Sequence, residues 1–561
     1  MLKDRVPTES PAAPAPSRPA RLARLRTWLA RRALGIVLVA AYVWSFPYFE
    51  QIHSANELPR IWLAQAIVDE GRFAVDTGVR TLGGPVADVS ELDRPATPGT
   101  SAKGKYYSNK APGMSLLAVP AYAVLRLFGR PTMRATTFWL RLTASTLPQL
   151  LFLWLLAWWL SKVCADQVAR RVALVGYALG TMAFTYGVTL FSHQLAAGFA
   201  MASFIVASMW ARGVLRERWL PAAGAAAGMA LLCDYQAVFL CVPVALYLAW
   251  RGRGVWPRLR ALALAGAGAV GPVLVLLAYH QACFGSPFRT GYNASKTFAH
   301  LHSQGFLGLV WPPMKAAFVG SFFTPDNGLF VLSPVLLLAL PGMVWLCRRR
   351  ETRAEGVIAV SAFVIGAWFV SSIAMWRGGW NVGPRYIAAA LPFLVWPVAE
   401  ALAWARVQRL PLAWVGGVAL VGVSLVVYGV LTPMYPHLPS GQFHPVFVNP
   451  LYDVGFWLLG RGYAPYNAGW AVGLGGVWGM LPYFALVAGA LALALGQGEP
   501  GERRMWRWHA AGALGAAVLV GLYALWPQGR GAHMDCNGGR IAPGERPCIE
   551  RVAAKYEPPR P

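Results

Sequence analysis

Charged residues are scarce in this chain. Only 13% of its 561 residues are Asp, Glu, Lys or Arg, about half the share that is usual in soluble domains. By contrast, 56% are hydrophobic and the mean hydropathy is +0.45. Apolar runs recur from residue 33 to residue 526, most of them near the ~20 residues that span a bilayer. This composition excludes a soluble globular domain and predicts an all-α polytopic membrane protein.

Negative charge is the scarcer sign. The chain has 24 Asp and Glu against 50 Lys and Arg, which gives a formal net charge of +26. Most of the basic residues lie in short connectors between apolar runs, where the positive-inside bias places them. No basic surface interleaved with aromatic residues is present in the sequence. We therefore expect membrane lipids as partners and no nucleic acid.

Cofactor motifs are also missing. The sequence contains no Gly-rich phosphate loop, no His-x-x-x-His pair and no Cys-x-x-Cys, so no resident cofactor is expected. Five of the seven cysteines lie in or beside apolar runs, where packing is their ordinary role. The other two, Cys536 and Cys548 in "CNGGRIAPGERPC", are a candidate disulfide if the C-terminus faces an oxidising compartment.

The apolar runs divide the chain into three parts. Residues 1–32 are predicted to be a disordered basic cytoplasmic tail, 33–527 a transmembrane domain with a first outer loop over 51–136, and 528–561 a short outer tail. We expect about thirteen crossings. The predicted spans are 33–49, 138–160, 172–190, 194–210, 222–232, 238–250, 261–279, 329–346, 357–375, 386–402, 412–431, 472–495 and 509–525.

The charge of the connectors predicts the topology. Six short connectors are basic, which is typical of the cytoplasmic side, while most of the alternate ones are longer, aromatic and rich in Gly and Pro. All six lie on one side only if residues 113–128 of "GKYYSNKAPGMSLLAVPAYAVLRLFGR" do not cross. Arg126, Arg130 and Arg134 then stay outside, against the bias, but six connectors outweigh them. We expect a multi-pass protein of the cytoplasmic membrane with its N-terminus in the cytoplasm and its C-terminus outside.

The first outer loop begins with a helical pattern. Leu58, Ile61, Trp62 and Val68 recur at helical spacing, which predicts an amphipathic helix on the membrane surface. "SANE", residues 54–57, has the spacing of a capping box. Glu57 is therefore either a capping residue of this helix or a functional acid, and the sequence around it leaves both interpretations open.

Polar residues at the outer ends of the spans favour a functional site on that face. Ionisable groups beside apolar spans are costly unless they are paired or used. Arg and Lys bind a phosphate and stabilise the charge that develops when it leaves, and a carboxylate removes a proton from a hydroxyl. The outer polar residues that we consider are Glu57, Arg60, Lys105, Tyr106, Tyr107, Asn109, Lys110, His193, Asp234, Arg377, Arg385 and Tyr386.

Two stretches of the first outer loop resemble a known family. "NELPRIWLAQAIVDEGRFAVD" followed by "GKYYSNKAPGMSLLAVPAY" is similar to the first outer loop of bacterial GT-C fold glycosyltransferases related to protein mannosyltransferases and aminoarabinose transferases. An acid after the first span, an Arg and a Lys-x-Pro element carry the resemblance; here they are Glu57, Arg60 and residues 110–112. The chain departs from the family's Asp-Glu pair at Asn56, and His193 stands where a second Asp is usual.

The resemblance implies an inverting transferase that uses a polyprenyl-phosphate-linked sugar on the outer, periplasmic face. A first-loop acid, Glu57, would deprotonate an acceptor hydroxyl on a glycan, lipid or protein. No metal is required by this hypothesis, because a phosphate is already a fair leaving group. The remaining roles are phosphate binding by Lys105, Lys110, Arg377 and Arg385, sugar binding by Tyr106 and Tyr107, acceptor binding or orientation of Glu57 by His193 and Asp234, and further substrate contacts by Arg60, Asn109 and Tyr386.

Two other functions remain open from the sequence. A transporter or flippase of lipid-linked sugars would also need many spans and outer basic groups, yet it predicts ionisable residues deep inside the spans, which are nearly absent here. A non-catalytic protein of envelope assembly is the third interpretation, since Asn56 removes one acid of the family's pair. We favour the transferase because of the first-loop resemblance.

Overall fold

The protein is described from a computed structural model, which covers the core of the chain and much of its outer loops. The described residues are 18–46, 54, 56–84, 86, 88–92, 105–252, 254–295, 299–305, 308–379, 381–434, 448–463, 467–496, 506–525, 543–544 and 548.

The architecture is helical, as the composition predicts, with one small hairpin. The strands are β1 (Val89–Leu92) and β2 (Lys105–Ser108). The helices of the first half are α1 (Arg18–Ser45), α2 (Leu58–Glu70), α3 (Asp76–Leu82), α4 (Gly113–Leu127), α5 (Met133–Arg141), α6 (Leu147–Val163), α7 (Gln167–Gly180), α8 (Met182–Val188), α9 (Ser192–Ala211), α10 (Leu220–Cys233), α11 (Val238–Arg251) and α12 (Val255–Phe284).

The second half of the chain is also helical, with longer irregular connections. Its helices are α13 (Ala299–His302), α14 (Lys315–Phe322), α15 (Leu329–Leu332), α16 (Ala339–Arg348), α17 (Arg353–Ser372), α18 (Val395–Val407), α19 (Pro411–Met434), α20 (Trp457–Gly460), α21 (Ala468–Ala471), α22 (Gly476–Leu495) and α23 (Trp506–Tyr523). A run of 3₁₀ helix, Arg385–Leu394, leads directly into α18.

Seven helical segments of the described chain are long and apolar enough to cross a membrane, and four apolar helices are shorter. This confirms a multi-span membrane protein, while the number of thirteen crossings stays a prediction. The segment that includes α18 is the most buried of these spans, followed equally by α9 and α19, whereas α12 is largely exposed along its apolar surface. Outward-facing apolar side chains of this kind are what a lipid environment requires.

Several predicted spans have different boundaries in the structure. Residues 172–190 form two helices, because the chain breaks at Thr181, whose hydroxyl accepts from the backbone N–H of Ala183 and caps α8. Residues 329–346 are split in the same way into α15, a 3₁₀ turn and α16. Helix α1 begins at Arg18, so it extends into the tail that was expected to be disordered.

The first outer loop differs from the prediction in its burial. The first two turns of α2 are buried on every side, including Arg60, so this half of the helix is packed inside the protein rather than resting on a membrane surface. The β1–β2 hairpin was not expected from the sequence. It is antiparallel and pairs Val89 with Ser108 at its open end.

Basic connectors meet at the end of the bundle opposite to the first outer loop. Arg406 donates to Asp166 across 3.0 Å, Arg212 pairs with the buried Glu355, and Arg349 pairs with Glu400. These contacts join five helices through the connectors that the charge pattern assigns to one side. The membrane orientation itself stays a prediction.

Candidate active site

A polar cavity lies where five helix ends meet. It is formed at the start of α2, just before α4, at the start of α9, at the end of α10 and at the start of the 3₁₀ run before α18. Its volume is about 20 Å³, room for about one water molecule. It is lined by Asn56, Arg60, Lys110, Ala111, Ser192, His193, Cys233, Asp234, Tyr235, Tyr292, Arg385 and Tyr386.

Arg60 is held in this cavity by neutral groups. Its guanidinium donates to the backbone carbonyl of Asn56 at 2.5 Å, to the side-chain oxygen of the same residue, and to Ser192 Oγ at 2.9 Å. The side chain is only 2% exposed, and within the described chain no carboxylate forms an ion pair with it. Its positive charge is therefore left without a neutralising contact.

Arg385 is a second buried guanidinium without an acidic partner among the described residues. It lies over the rings of Tyr386 and Phe191, with centroid distances of 5.3 and 5.7 Å. A close turn holds it there: Gly378 has φ +70°, and a Cβ at that position would lie 2.6 Å from Arg385 Nε. Only glycine combines this backbone conformation with so close an approach.

Lys110 is placed in the cavity by the hairpin. Val89 pairs with Ser108, so Asp88 and Lys110 lie one and two residues beyond the open end of the hairpin and come together there. Lys110 Nζ lies 3.0 Å from Asp88 Oδ1. Burial lowers the pKa of Lys110 to about 8, against the opposing attraction of Asp88. Helix α4 can begin close to the end of α10 because Gly113 has no side chain: a Cβ there would lie 2.7 Å from the backbone of Leu232.

His193 and Asp234 form a pair on the other wall. The His193 Nδ1 lies 2.5 Å from Asp234 Oδ2, and Gln236 Nε2 donates to the same carboxylate at 3.2 Å. Burial raises the pKa of Asp234, but the His193 ring, its hydrogen bond, Arg60 and the Gln236 N–H together lower it by more, so the net shift is downward. The ring is 6% exposed and packs edge-on against Tyr386 at 5.8 Å.

Glu57 forms a buried ion pair with Arg141, and its role as the catalytic base stays a prediction. It is fully buried, and its carboxylate accepts from Arg141 Nε at 2.9 Å, from Arg141 Nη2 at 2.6 Å and from the backbone N–H of Leu190 at 2.6 Å. Of the capping box, only the half in which Ser54 Oγ accepts from the Glu57 N–H is formed. Glu57 does not line the cavity, so its geometry does not support a catalytic base.

The other predicted residues lie around the cavity rather than in it. The side chains of Lys105, Tyr106 and Tyr107 stand on β2, where the Tyr106 hydroxyl donates to Glu91 at 3.1 Å and the Tyr107 ring packs on Phe284. Asn109 is buried beside the cavity. Arg377 pairs with Asp326 and covers Trp376. The structure thus brings together six of the twelve predicted residues: Arg60, Lys110, His193, Asp234, Arg385 and Tyr386.

Sequence reasoning missed three functional candidates at the cavity. Asp88, Ser192 and Tyr235 contribute an acid, a hydroxyl and an aromatic wall. Tyr292 adds a second aromatic wall and was among the outer polar residues of "FRTGYNASK" in the sequence. Asp88 belongs to no sequence motif, and only the hairpin register places it beside Lys110. Ser192 could have been found from the sequence, because it directly precedes His193 in "LFSHQ".

The carboxylates at the cavity are both engaged by bases, Asp88 by Lys110 and Asp234 by His193. Across the described residues, no three His, Cys, Asp or Glu side chains come together as a metal site would require. Independence from a metal remains a prediction. Cys548 is disulfide-bonded, and its predicted partner Cys536 lies outside the described residues.

An apolar cavity of about 420 Å³ lies on the other side of the α9 N-terminus. Its walls come from α4, α6 and α9 and include Leu117, Phe152, Trp154, Leu195 and Phe199. Gln194, which follows His193 in the chain, lines it as well. A polar cavity and an apolar cavity therefore adjoin the same helix end.

The fold and the cavity define a multi-span membrane protein with a buried cationic site at its outer-loop end. No family model and no curated protein matches the chain. Among solved structures it is similar to ArnT from Cupriavidus metallidurans, a GT-C fold glycosyltransferase. The apo state gives a TM-score of 0.46 at 16% identity over 91% of this chain and 79% of that chain.

Two more solved structures are similar in fold. ArnT from the same organism bound to undecaprenyl phosphate gives a TM-score of 0.43 at 16% identity, over 90% of this chain and 79% of that one. The Archaeoglobus fulgidus oligosaccharyltransferase in the apo form gives 0.35 at 13% identity, over 92% of this chain and 62% of that one. All three TM-scores lie below 0.5.

Proposed function

We propose that the protein is a membrane glycosyltransferase that moves a sugar from a polyprenyl-phosphate-linked donor to an acceptor hydroxyl. One observation carries the proposal: Arg60, Lys110 and Arg385 converge on one buried cavity, and in the described chain neither guanidinium has a carboxylate within ion-pair distance, although Asp88 attracts both from farther away. Burying a guanidinium without a counter-ion is costly. A phosphate that enters the cavity would supply the missing negative charge, and Arg binds it with two parallel hydrogen bonds.

The apolar cavity supports a lipid carrier for that phosphate. Its volume and its aliphatic and aromatic walls suit part of a polyprenyl chain, and it adjoins the helix end that carries Ser192 and His193. The polar cavity is too small for a sugar phosphate as it stands, so donor binding must displace its walls. Tyr292 lies on a single short 3₁₀ helix, Gly291–Ala294, between longer connections, and its ring lies 5.3 Å from Lys110 Nζ. This short helix is the wall that we expect to move.

In the reaction, the cations act on the leaving group. As the bond between the anomeric carbon and the phosphate oxygen breaks, charge gathers on the phosphate, and fixed positive groups in a dry cavity stabilise that charge strongly. Arg60 and Arg385 are positioned by helix ends and by a glycine turn, so little reorganisation is needed. The acceptor hydroxyl attacks from the opposite side of the sugar, which inverts the anomeric centre.

The proposal is tested by lipid binding to the purified protein in detergent. Undecaprenyl phosphate should bind, whereas undecaprenol, which lacks the phosphate, should bind at least ~10-fold more weakly, since each lost charge-assisted contact is worth about 1.5–3 kcal/mol. Arg385→Gln should weaken binding of the phosphate lipid by a similar factor. Arg289→Gln is the matched control, because Arg289 is an exposed residue of the outer loops.

Equal binding of the two lipids, or wild-type affinity in Arg385→Gln, would refute a phosphate site. Transfer is then followed in proteoliposomes with a lipid-linked sugar labelled in the sugar. Loss of label from the lipid to a water-soluble or acceptor fraction indicates transfer. Movement of intact labelled lipid to the opposite leaflet, with the sugar–phosphate bond unbroken, would instead establish a flippase.

A further inference from the structure

The transfer proposed above requires a group that accepts the proton of the acceptor hydroxyl, and the carboxylates around the cavity are poorly placed for this. Glu57 is enclosed by Arg141 and the Leu190 N–H. Asp88 is held by Lys110 at 3.0 Å and accepts from Asn56 Nδ2 at 3.3 Å. Asn56 itself is a neutral amide, which cannot take a proton at ordinary pH.

His193 is different, because one of its two ring nitrogens is unused. The Nδ1 faces Asp234 Oδ2 at 2.5 Å, a shorter contact than the 3.0 Å to Gln236 Nε2. A hydrogen bond from Nδ1 to a carboxylate fixes the tautomer in which Nε2 carries the lone pair. The Nε2 atom is buried and makes no hydrogen bond to any described residue. His193 lines the cavity, and the lone pair on its Nε2 is not used by any described residue.

The surrounding helices fix this geometry. His193 is the second residue of α9, and Ser192, directly before it, accepts from Arg60. Asp234 ends α10 and also caps the following turn through the Gln236 N–H. The start of α9 therefore positions both the Arg60 guanidinium, which would bind the phosphate, and the His193 imidazole, which is 6% exposed. An orienting carboxylate behind an imidazole is the arrangement that general-base catalysis uses.

We propose that His193, oriented by Asp234, is the general base of the transfer, a role that rests on the proposed function. Nε2 takes the proton of the acceptor hydroxyl while the acceptor oxygen forms its bond to the anomeric carbon. The bond from that carbon to the phosphate oxygen breaks, and the lipid phosphate leaves with the electron pair. The imidazolium that results is stabilised by Asp234 and returns its proton to solvent when the product departs.

The charged and titratable groups that face His193 come from several elements, and each affects a pH profile. Asp234 favours the imidazolium, whereas Arg60 and Arg385 oppose it. The full set packed around the ring is Arg60 from α2, Tyr186 from α8, Asp234 and Gln236 from the α10–α11 turn, and Arg385 and Tyr386 from the 3₁₀ run.

The test compares His193→Gln with wild type in single-turnover transfer and in undecaprenyl phosphate binding. We expect the rate to fall by about 10²–10⁴-fold, the usual contribution of a general base, while the dissociation constant changes less than ~3-fold. His300→Gln is the matched control, because His300 is exposed on α13 in the outer loops. Thermal unfolding of each variant verifies that it is folded.

Asp234→Asn provides a second measurement that does not depend on the His193 variant being folded. Without the carboxylate, the imidazolium loses its partner, so the acidic limb of the kcat/KM profile should move to lower pH and kcat should fall by ~10-fold or more. A purely structural role for Asp234 would lower activity without moving that limb. An unmoved limb overturns the proposal.

Two results with His193→Gln would also overturn it. Transfer within ~3-fold of wild type excludes His193 as the base, and a loss of phosphate-lipid binding equal to that of Arg385→Gln makes it a donor-binding residue. Both outcomes leave the proposed function standing. Failure of the function itself shows differently, as equal binding of undecaprenol and undecaprenyl phosphate by the wild-type protein.

Discussion

At the scale of single residues, Glu57 and Arg141 connect the first outer loop to the transmembrane bundle. The pair is almost completely buried, at 0% and 1% exposed side chain, and Leu190 adds a backbone donor from the α8–α9 turn. Three segments that are distant in sequence thus meet at one carboxylate. Removing one partner of such a pair leaves an uncompensated buried charge, which is strongly destabilising.

Glu57→Gln should therefore lower the free energy of unfolding by about 3–5 kcal/mol. The measurement is equilibrium unfolding in mixed detergent micelles. Glu70→Gln is the matched control, since Glu70 is an exposed acid on the same helix, and its change should stay within about 0.5 kcal/mol. If Glu57→Gln were as stable as wild type yet inactive in transfer, the acid would regain its role as catalytic base.

Lys110 gives the site a pH dependence. Burial lowers its pKa to about 8, so the ammonium group is present below this pH and is lost as the pH rises through it. Because the phosphate needs that charge, the affinity for undecaprenyl phosphate should fall above pH ~8. Titration of the dissociation constant from pH 6 to pH 10 measures the effect.

Lys110→Arg is the control for this titration, because a guanidinium remains charged throughout the range. Dividing the affinity of the wild type by that of Lys110→Arg at each pH cancels the effect of the ionisation of the lipid phosphate itself. The ratio should change by ~10-fold across the transition. A constant ratio from pH 6 to pH 10 would show that the Lys110 charge does not contribute to binding.

At the scale of elements, the hairpin and α4 decide where the loop residues lie. The hairpin register places Asp88 beside Lys110, and Gly113 lets α4 begin against the end of α10. Helix α4 has 15 residues, about 22 Å at the usual rise, which is short of a ~30 Å hydrocarbon core. Helices α10 and α11, which are predicted to cross, have only 14 residues each, so length does not decide whether α4 crosses, and its position outside the membrane stays a prediction.

That expectation is tested by single cysteines in a variant lacking the native free thiols. Phe128 follows α4 and is 87% exposed, and Phe288 follows α12 and is 85% exposed. If α4 does not cross, a membrane-impermeant maleimide added to spheroplasts labels both Phe128→Cys and Phe288→Cys. Arg350→Cys, in a basic connector, is the protected control. If α4 spans the membrane and the other predicted spans are unchanged, every later connector changes side, so that Phe128→Cys and Phe288→Cys are both protected and Arg350→Cys is labelled.

At the scale of the whole molecule, the sequence predicted the class of architecture and half of the site. Composition and hydropathy are summed over many residues, so they identified a helical multi-span protein reliably. The polar residues at helix ends, such as His193, Asp234 and Arg385, were found because ionisable groups stand out against apolar spans. Breaks such as the one at Thr181 were missed, since a capped interruption leaves the apolar run intact.

The sequence by itself determined that the chain is embedded in lipid and that one face concentrates cations, since both properties follow from residue counts and their periodicity. Only the tertiary structure decided which groups meet. Glu57 was the expected base, yet Arg141, 84 residues further on, occupies its carboxylate. Asp88 carried no motif, and a hairpin register brings it to Lys110. Packing decides which partners distant in sequence meet, and it also leaves the Nε2 of His193 without a hydrogen-bond partner among the described residues.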